Sequence, residues 1–202
     1  MLPDLRDAFA DFPKGQAGVR VSNGANLRAA MAPTGQLGCL AAALLGPNSR
    51  PVRAILFDKT AETNWSLAWH QDRTICVKDR VEVPGFDPWT VKSGKQHVAP
   101  PFALLTRMIT VRAHLDDVPP SNAPLLFAPG SHTKGRVPVD RIDEVVRECG
   151  TRVCLAQAGD VWVYSTPILH ASELATTPRH RRVLQVDFAA EDLPGTLEWL
   201  GV

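Results

Sequence analysis

The sequence predicts a mainly β protein in which two sheets pack face to face. The 202-residue chain contains 17 prolines and 14 glycines, which separate short apolar segments, as is typical of many strands joined by turns. From residue 51 onward, apolar residues recur with the period of a strand. Helical patterns are confined to the N-terminal part and to residues 140–149. This distribution favours a double-sheet β architecture with N-terminal helices and one further helix.

Size and composition favour a single soluble domain over residues 1–202. Its core is expected over roughly residues 52–190, with the helical region 1–50 packed on it. A formal net charge of +1 gives no strong field towards nucleic acid or an anionic membrane. No apolar run approaches the roughly 20 residues that span a bilayer. Neither a signal-peptide pattern nor a metal-binding cysteine spacing is visible, and the cysteines are expected to be free thiols. We therefore expect a cytoplasmic protein.

The sequence of the N-terminal region predicts three helices and one short strand. Residues 1–13 carry a helical stripe of Leu2, Leu5, Phe9 and Phe12. A brief strand over residues 19–21 is expected to end in a turn at Ser22-Asn23-Gly24. Helices are predicted over residues 27–32 and 35–45, and Gly46 ends the second one.

Seven strands and one helix are predicted in the remainder of the chain. Gly150 marks the end of the helix at residues 140–149. The segment 78–101 is predicted to be a long irregular insertion, and such loops are often functional. We interpret it, with Phe86, Trp89 and Phe102, as a substrate lid; a surface loop held down by its aromatic residues is the alternative. The predicted strands cover residues 52–58, 63–69, 104–115, 125–128, 153–156, 161–164 and 183–188.

A candidate metal site follows the second of these strands. Side chains two residues apart in a strand point to the same face, so His70 and Asp72 would bind one ion from one side. His170, one hundred residues later, is the candidate third ligand. On the strand itself, small polar and bulky apolar residues alternate, which predicts a cavity side and a packed side. Asn64, Ser66 and Ala68 would share the cavity side with His70, and Trp65, Leu67 and Trp69 would form the packed side.

Two histidines and one carboxylate suit Fe(II) that must bind a co-substrate and O2 together, because they leave the other coordination positions open. Zinc accepts the same ligands, so the ligands alone do not decide the metal. The tripeptide His-x-Asp is also common by chance. The other four histidines are interpreted as structural or surface residues: His97, His114, His132 and His180.

A candidate anion-binding residue opens the last predicted strand. Arg181 lies eleven residues after His170, and a hairpin returning from His170 would place it beside the metal cavity. Arginine binds a carboxylate with a bidentate fork. A solvated basic cluster with Arg179 and His180 explains the same spacing equally well.

Taken together, these motifs resemble the phytanoyl-CoA dioxygenase-like proteins. These are non-haem Fe(II)- and 2-oxoglutarate-dependent oxygenases with a double-stranded β-helix core, also called a jelly roll or cupin-like fold. The matching residues occur in the family's order over roughly residues 52–190. They are Trp69-His-Gln-Asp72, Leu115-Asp-Asp117, Asn122-Ala-Pro-Leu125, Pro129-Gly-Ser-His132, Gly159-Asp160, His170-Ala-Ser172 and Arg181 before Val183. One departure is Ala123, since the family usually has glycine after this asparagine.

The resemblance implies roles for six residues. His70, Asp72 and His170 would be the iron ligands. The residues expected to bind 2-oxoglutarate are Arg181, at its distal carboxylate, with help from Ser172 and Asn64.

The implied activity is hydroxylation of a small organic molecule, with Fe(II), 2-oxoglutarate and O2 as cofactors and release of succinate and CO2. Related halogenases replace the acidic ligand with a small residue, so Asp72 favours hydroxylation. Two alternatives remain open: a cupin-like metal-dependent hydrolase or isomerase, and a jelly-roll binding module without turnover. Arg181 argues against the hydrolase, and the intact ligand set argues against the binding module.

Overall fold

The structure is a computed structural model that describes residues 2–7, 9–10, 13, 15–21 and 25–202. Two sequence expectations, Phe12 in the first helix and the turn at Ser22-Asn23-Gly24, lie outside these residues. The first helix is shorter than predicted, and the short helix α4 takes the place of the start of the strand predicted over residues 104–115. The helices are α1 (Leu2–Asp7), α2 (Ala25–Met31), α3 (Gly38–Leu45), α4 (Phe102–Leu105) and α5 (Ile142–Cys149).

Twelve strands in the described part of the chain form three antiparallel sheets, with orders β1-β2-β12-β7-β10, β3-β11-β8-β9 and β4-β6-β5. The predicted mainly β, double-sheet class is confirmed. The strands are β1 (Gly18–Val21), β2 (Arg50–Lys59), β3 (Leu67–His70), β4 (Ile75–Val77), β5 (Trp89–Lys92), β6 (Lys95–Val98), β7 (Ile109–His114), β8 (Leu125–Phe127), β9 (Arg152–Cys154), β10 (Val161–Ser165), β11 (His170–Ser172) and β12 (Arg181–Ala189).

The five-stranded sheet has one apolar and one polar face. Its apolar face carries Leu56, Val111 and Val186, which pack against buried residues of the N-terminal region such as Leu5 and Met31. Burial of this kind stabilises by roughly 25 cal/mol per Å² of apolar surface. The opposite face carries polar residues that are nevertheless buried, and it is turned towards the four-stranded sheet. They include Lys59, Thr110, Arg112, His114, Arg181, Gln185 and Asp187.

The four-stranded sheet contains an irregularity beside the predicted metal ligands. His70 of β3 lies opposite His170 of β11, but Ser172 lies opposite Leu67, so the register shifts between the two pairs. A bulge of this type places an extra residue in one strand and reverses the alternation of its side chains. The predicted division of residues 63–69 into a cavity side and a packed side is therefore wrong. Trp65 and Leu67 line the cavity, whereas Ser66 and Ala68 do not.

The predicted insertion 78–101 is irregular over residues 78–88 but contains a β-hairpin in its second half. Strands β5 and β6 form a hairpin, and β6 also pairs with β4. The three aromatic residues that suggested a lid, Phe86, Trp89 and Phe102, pack into a second apolar cluster with Val98 and Leu105. They hold the hairpin against the protein. No helix in the described part of the chain is long and apolar enough to cross a membrane.

Candidate metal centre

The structure brings the three predicted metal ligands together between the two larger sheets. His70 ends β3, and His170 begins the neighbouring β11 directly opposite it. Asp72 follows two residues after His70. One ligand atom from each of the three residues lies within 4.8 Å of the others. The imidazole rings are 4.2 Å apart between centroids. This spacing allows the three side chains to bind a single ion.

Backbone contacts prepare both imidazole rings to bind a metal. The Nδ1–H of His70 donates to the carbonyl of Ala68 at 2.8 Å, and that of His170 donates to the carbonyl of Ile168 at 2.9 Å. These bonds fix the tautomer and leave each Nε2 as an acceptor, as is typical of metal-binding histidines. Burial lowers the pKa of His170 to about 4, so its ring is neutral at neutral pH.

An ion-pair network holds the third ligand. Arg53 of β2 donates from Nη2 to Oδ2 of Asp72 at 3.1 Å and from Nε to Oδ2 of Asp187. Oδ1 of Asp187 accepts a hydrogen bond from Thr110 at 2.9 Å. Burial by itself raises the pKa of Asp72, but the charges of Arg53 and the two histidines outweigh it and lower the pKa. Asp72 is therefore a carboxylate at neutral pH.

Two buried cations lie beyond the metal ligands, around Ser172. Arg181 is 4% exposed and Lys59 is 0% exposed, and they are directly paired on neighbouring strands. The Oγ of Ser172 lies 3.4 Å from both Arg181 Nη1 and Lys59 Nζ. Arg181 also donates to the carbonyl of Ala123, and its buried Nε has no partner in the described part of the chain.

Neither of these cations forms a salt bridge with a carboxylate among the described residues. Lys59 instead donates to the carbonyls of Trp65 at 2.6 Å and Glu173 at 2.7 Å. Burial, followed by the charge of Arg181, lowers the pKa of Lys59 to about 8. Burial and the charge of Arg112 lower the pKa of Arg181 to about 9. Burial makes the charged forms of Lys59 and Arg181 unfavourable, and a bound anion would stabilise them. The two residues therefore favour binding of an anion.

A cavity of about 500 Å³ connects the metal ligands with Arg181 and Ser172. Both larger sheets contribute to it. Asn64, predicted to reach the co-substrate, does not line this cavity. Its amide bonds the backbone of Ala175 through both its oxygen and its nitrogen, so it fastens two loops. The cavity is lined by Gly18, Arg20, Arg53, Ile55, Phe57, Trp65, Leu67, His70, Gln71, Asp72, Arg73, Thr74, Lys92, Arg112, Leu125, His170, Ser172, Arg181 and Gln185.

Several residues of this region were not singled out by the sequence analysis. Alternation in β2 places Arg53 and Lys59 on one face, and this pattern was available as a signal. Arg112 donates from Nη1 to Gln185 Oε1 at 2.6 Å, a contact between two strands that only the fold reveals. The predicted lid contributes only Lys92 to the cavity lining in the described part of the chain.

The four histidines interpreted as structural or surface residues all lie outside the ligand cluster. His114 is buried, its Nε2 is 4.0 Å from Cys154 Sγ, and burial with the charge of Arg112 lowers its pKa to about 3. His180 pairs with Asp58 at 2.8 Å, and His97 Nδ1 bonds a backbone carbonyl at 3.0 Å. The ring nitrogen Nδ1 of His132 is buried without a partner among the described residues.

Comparison with solved structures identifies proteins of the same fold. The structure of EvdMO1 is 21% identical with a TM-score of 0.61, and the match covers 89% of this chain but only 36% of that chain. HygX from Streptomyces hygroscopicus, crystallised with nickel and 2-oxoglutarate, is 14% identical with a TM-score of 0.58, covering 93% and 75% of the two chains. SnoN, a non-heme alpha ketoglutarate-dependent epimerase from nogalamycin biosynthesis, is 19% identical with a TM-score of 0.59, covering 96% and 78%. Among curated proteins, none matches the chain in sequence.

The sequence itself matches the model of one protein family. The phytanoyl-CoA dioxygenase (PhyH) family model matches residues 27–183, a span that includes the three ligands of the candidate metal centre and Ser172 and Arg181. This family uses Fe(II), 2-oxoglutarate and O2, the cofactors that the sequence resemblance implied. The chain belongs to the phytanoyl-CoA dioxygenase family, as its motifs predicted, and shares its jelly-roll fold.

Proposed function

We propose that this chain is an Fe(II)- and 2-oxoglutarate-dependent oxygenase that hydroxylates a small organic molecule. The observation that carries the proposal is that His70, Asp72 and His170 line one cavity with Arg181. Arg181 and its buried neighbour Lys59 lack carboxylate partners among the described residues. We further propose that it acts as a single domain in the cytoplasm.

The donor set fits Fe(II). Two neutral imidazoles and one carboxylate are the ligand types of the facial arrangement found in non-haem iron oxygenases. Each imidazole keeps Nε2 available, because its Nδ1–H is bonded to a carbonyl. Bound iron, with 2-oxoglutarate and O2, would supply the oxidising power for the reaction. The residues of this chain hold the ion, exclude competing ligands and orient the substrate.

The arrangement around Ser172 fits the distal carboxylate of 2-oxoglutarate. Ser172 Oγ lies near both Arg181 and Lys59 as donors, which leaves its own proton available to a carboxylate. Arg181 presents an unpartnered buried Nε. A buried cation without a partner is costly, and a bound carboxylate would supply the opposite charge and accept the free hydrogen bonds. We propose Arg181, Ser172 and Lys59 as the residues that bind this carboxylate.

The alternatives differ in what they require of these residues. A cupin-like hydrolase or isomerase, or a binding module, has no need of a dicarboxylate anchor beside the metal. An epimerase of the same cofactor class requires the same anchor and is separated by its product. We favour hydroxylation because Asp72 is retained and occupies the position that a halide would need.

Anaerobic addition of Fe(II) and 2-oxoglutarate tests the proposal. We expect a weak visible charge-transfer band, because 2-oxoglutarate chelates the iron. The band should be lost in His70→Ala, and Arg181→Ala should weaken 2-oxoglutarate binding at least about tenfold. His180→Ala, which changes a histidine outside the site, is the control. A correctly folded wild-type protein without the band contradicts the proposal. Incorporation of oxygen from ¹⁸O₂ into the product then separates hydroxylation from epimerisation.

A further inference from the structure

Apart from Arg53, which pairs with Asp72 and Asp187, and Arg112, which bonds Gln185, the cations at the cavity lie on two sides of the candidate metal ligands. Along β3 and β11, the direction from His70 and His170 towards Leu67 and Ser172 leads to Arg181. Arg181 pairs with Lys59 at the far end of β2. The other direction along the chain leads past His70 to Asp72 and Arg73. The group around Arg181 is the one assigned above to 2-oxoglutarate.

The second group consists of Arg20, Arg73 and Lys92, which we call the outer cations. Arg20 of β1 lies opposite Ile55, two residues from Arg53, and therefore near the Asp72 end of β2. Lys92 lies at the end of β5, and the next residue, Ser93, accepts a hydrogen bond from Arg20 Nη1 at 3.2 Å. Three separate segments thus bring positive charge to one side of the cavity.

The outer cations have no carboxylate partners in the described part of the chain. Arg73 donates to the carbonyl of Val137, and the Nε of Arg20 is buried without a hydrogen-bond partner. Burial, followed by the charge of Arg53, lowers the pKa of Arg20. The charge on this side of the cavity is therefore uncompensated by the protein.

Neither the metal nor 2-oxoglutarate compensates this charge. Asp72 is the one carboxylate among the described lining residues, and Arg53 and the metal share it. The two negative charges of 2-oxoglutarate are directed to the metal and to the group around Arg181. A bound divalent ion adds further positive charge to the cavity. An anionic group on another ligand would be attracted to this uncompensated positive charge.

The same cavity has an apolar wall. Ile55, Phe57 and Leu67 line it between the two cationic groups. An apolar wall with a few convergent polar groups is the usual composition of a small-molecule site. A ligand with an anionic group at the outer cations would place its apolar part along this wall and within reach of the metal ligands.

We propose that the outer cations form the substrate subsite and that the substrate is a small molecule carrying a carboxylate or phosphate group on an apolar body. This inference rests on the proposed function of the metal centre. Arg20 and Arg73 bind the anionic group with their guanidinium groups. Lys92, at the tip of the β5–β6 hairpin, adds a third charge from the solvent side. The outer cations set specificity and orientation, and the bond that reacts lies on the apolar body.

Calorimetric titration of the anaerobic protein with Fe(II) and 2-oxoglutarate tests the subsite, with hexyl phosphate, hexanoate and 1-hexanol as probes. We expect at least one anionic probe to bind about tenfold or more tightly than 1-hexanol. Whichever anion binds more tightly identifies the chemical group. Equal binding of all three probes would overturn the proposal.

Variants locate the binding. Arg20→Gln and Lys92→Gln should each lower the affinity for the preferred anion about tenfold, and by a larger factor than they change 2-oxoglutarate affinity. Lys92 is exposed, so its substitution keeps the test valid if Arg20→Gln fails to fold. Arg147→Gln, on the exposed surface of α5, removes the same charge away from the cavity and should have no effect. Unchanged probe affinity in a folded Lys92→Gln and Arg20→Gln pair contradicts the subsite.

Repeating the titration without Fe(II) and 2-oxoglutarate separates this inference from the proposed function. If the charge-transfer band is absent but hexyl phosphate or hexanoate binds with the same dependence on Arg20 and Lys92, the function fails and the anion site stands. If the band forms but the probes bind without that dependence, the function stands and the subsite fails.

Discussion

The two carboxylate oxygens of Asp72 have different environments. Arg53 contacts only Oδ2 of Asp72, so Oδ1 is the oxygen that remains free for a metal. A single carboxylate oxygen on the ion leaves more coordination positions for co-substrate and O2 than two would. The guanidinium of Arg53 also binds Asp187. This second contact keeps the guanidinium in the orientation that holds Asp72 by one oxygen. We infer that Arg53 is a positioning residue for Asp72.

The variant Arg53→Lys tests this positioning role. Lysine keeps the charge but has one terminal nitrogen in place of a rigid fork, so it cannot hold both carboxylates in the same way. We expect Fe(II) affinity to fall about 10- to 100-fold, as is typical when a residue that supports a metal ligand is changed. Calorimetric titration with the metal measures this.

Arg50→Lys is the matched control for this substitution. It lies on the same strand, but its partner Asp192 is exposed, and we expect no change in metal affinity. The positioning role would be refuted if Arg53→Lys folded normally and bound Fe(II) as tightly as the wild type.

At the scale of single elements, periodicity was informative where strands are regular. In β2, alternation correctly separates Ala54 and Leu56, which face the apolar core, from Arg53, which lines the cavity, and Lys59, whose Nζ contacts Ser172. In the strand predicted over residues 63–69 the same argument placed Asn64 on the cavity side, but only Leu67–His70 forms β3, and Asn64 precedes it without lining the cavity. The register shift opposite β11 reverses the side-chain order, and such a shift depends on pairing with a strand one hundred residues away. The register of that pairing cannot be predicted from the neighbouring residues in the sequence.

Ala123, where the family usually has glycine, adopts an unfavourable backbone conformation. Ala123 has φ 48° and ψ 62°, in the left-handed region, where a Cβ is unfavourable and glycine is preferred. Its carbonyl accepts the hydrogen bond from Arg181. The turn whose carbonyl accepts the hydrogen bond from Arg181 is therefore strained by one methyl group.

Replacing Ala123 with glycine should relieve this strain. We expect Ala123→Gly to raise the free energy of unfolding by about 0.5–1 kcal/mol, because relief of the left-handed strain exceeds the greater flexibility of glycine in the unfolded chain. Chemical denaturation measures the change. Ala158→Gly is the control at a position without positive φ, and it should destabilise. If both variants lose stability equally, Ala123 is not strained.

At the scale of the whole molecule, the two faces of the five-stranded sheet have different roles: one contributes to stability and the other to the candidate site. One face packs on the N-terminal helices through an apolar cluster, and the other supplies Arg53, Lys59, Arg112 and Arg181 to the polar interior. Buried charges on one face cost free energy that apolar packing on the other face must offset. We infer that the N-terminal helices stabilise the fold through this cluster, while none of their described residues belongs to the candidate ligand set.

Truncating a core residue of α1 tests this separation. Leu5 is 1% exposed and packs in the apolar cluster, so Leu5→Ala should lower the free energy of unfolding by about 2–5 kcal/mol and reduce Tm. Leu44→Ala changes a leucine that is 63% exposed and should leave Tm nearly unchanged. Because ligand stabilisation depends on affinity, Ni(II) and 2-oxoglutarate should add the same free energy to Leu5→Ala as to the wild type. Each ligand contributes about 2.7 kcal/mol when its free concentration is one hundred times its Kd. Thermal unfolding with and without the ligands measures both quantities.

A Leu5→Ala protein that stays folded but gains nothing from the ligands would show that the helices support the metal centre directly, and the separation between the two faces would be wrong.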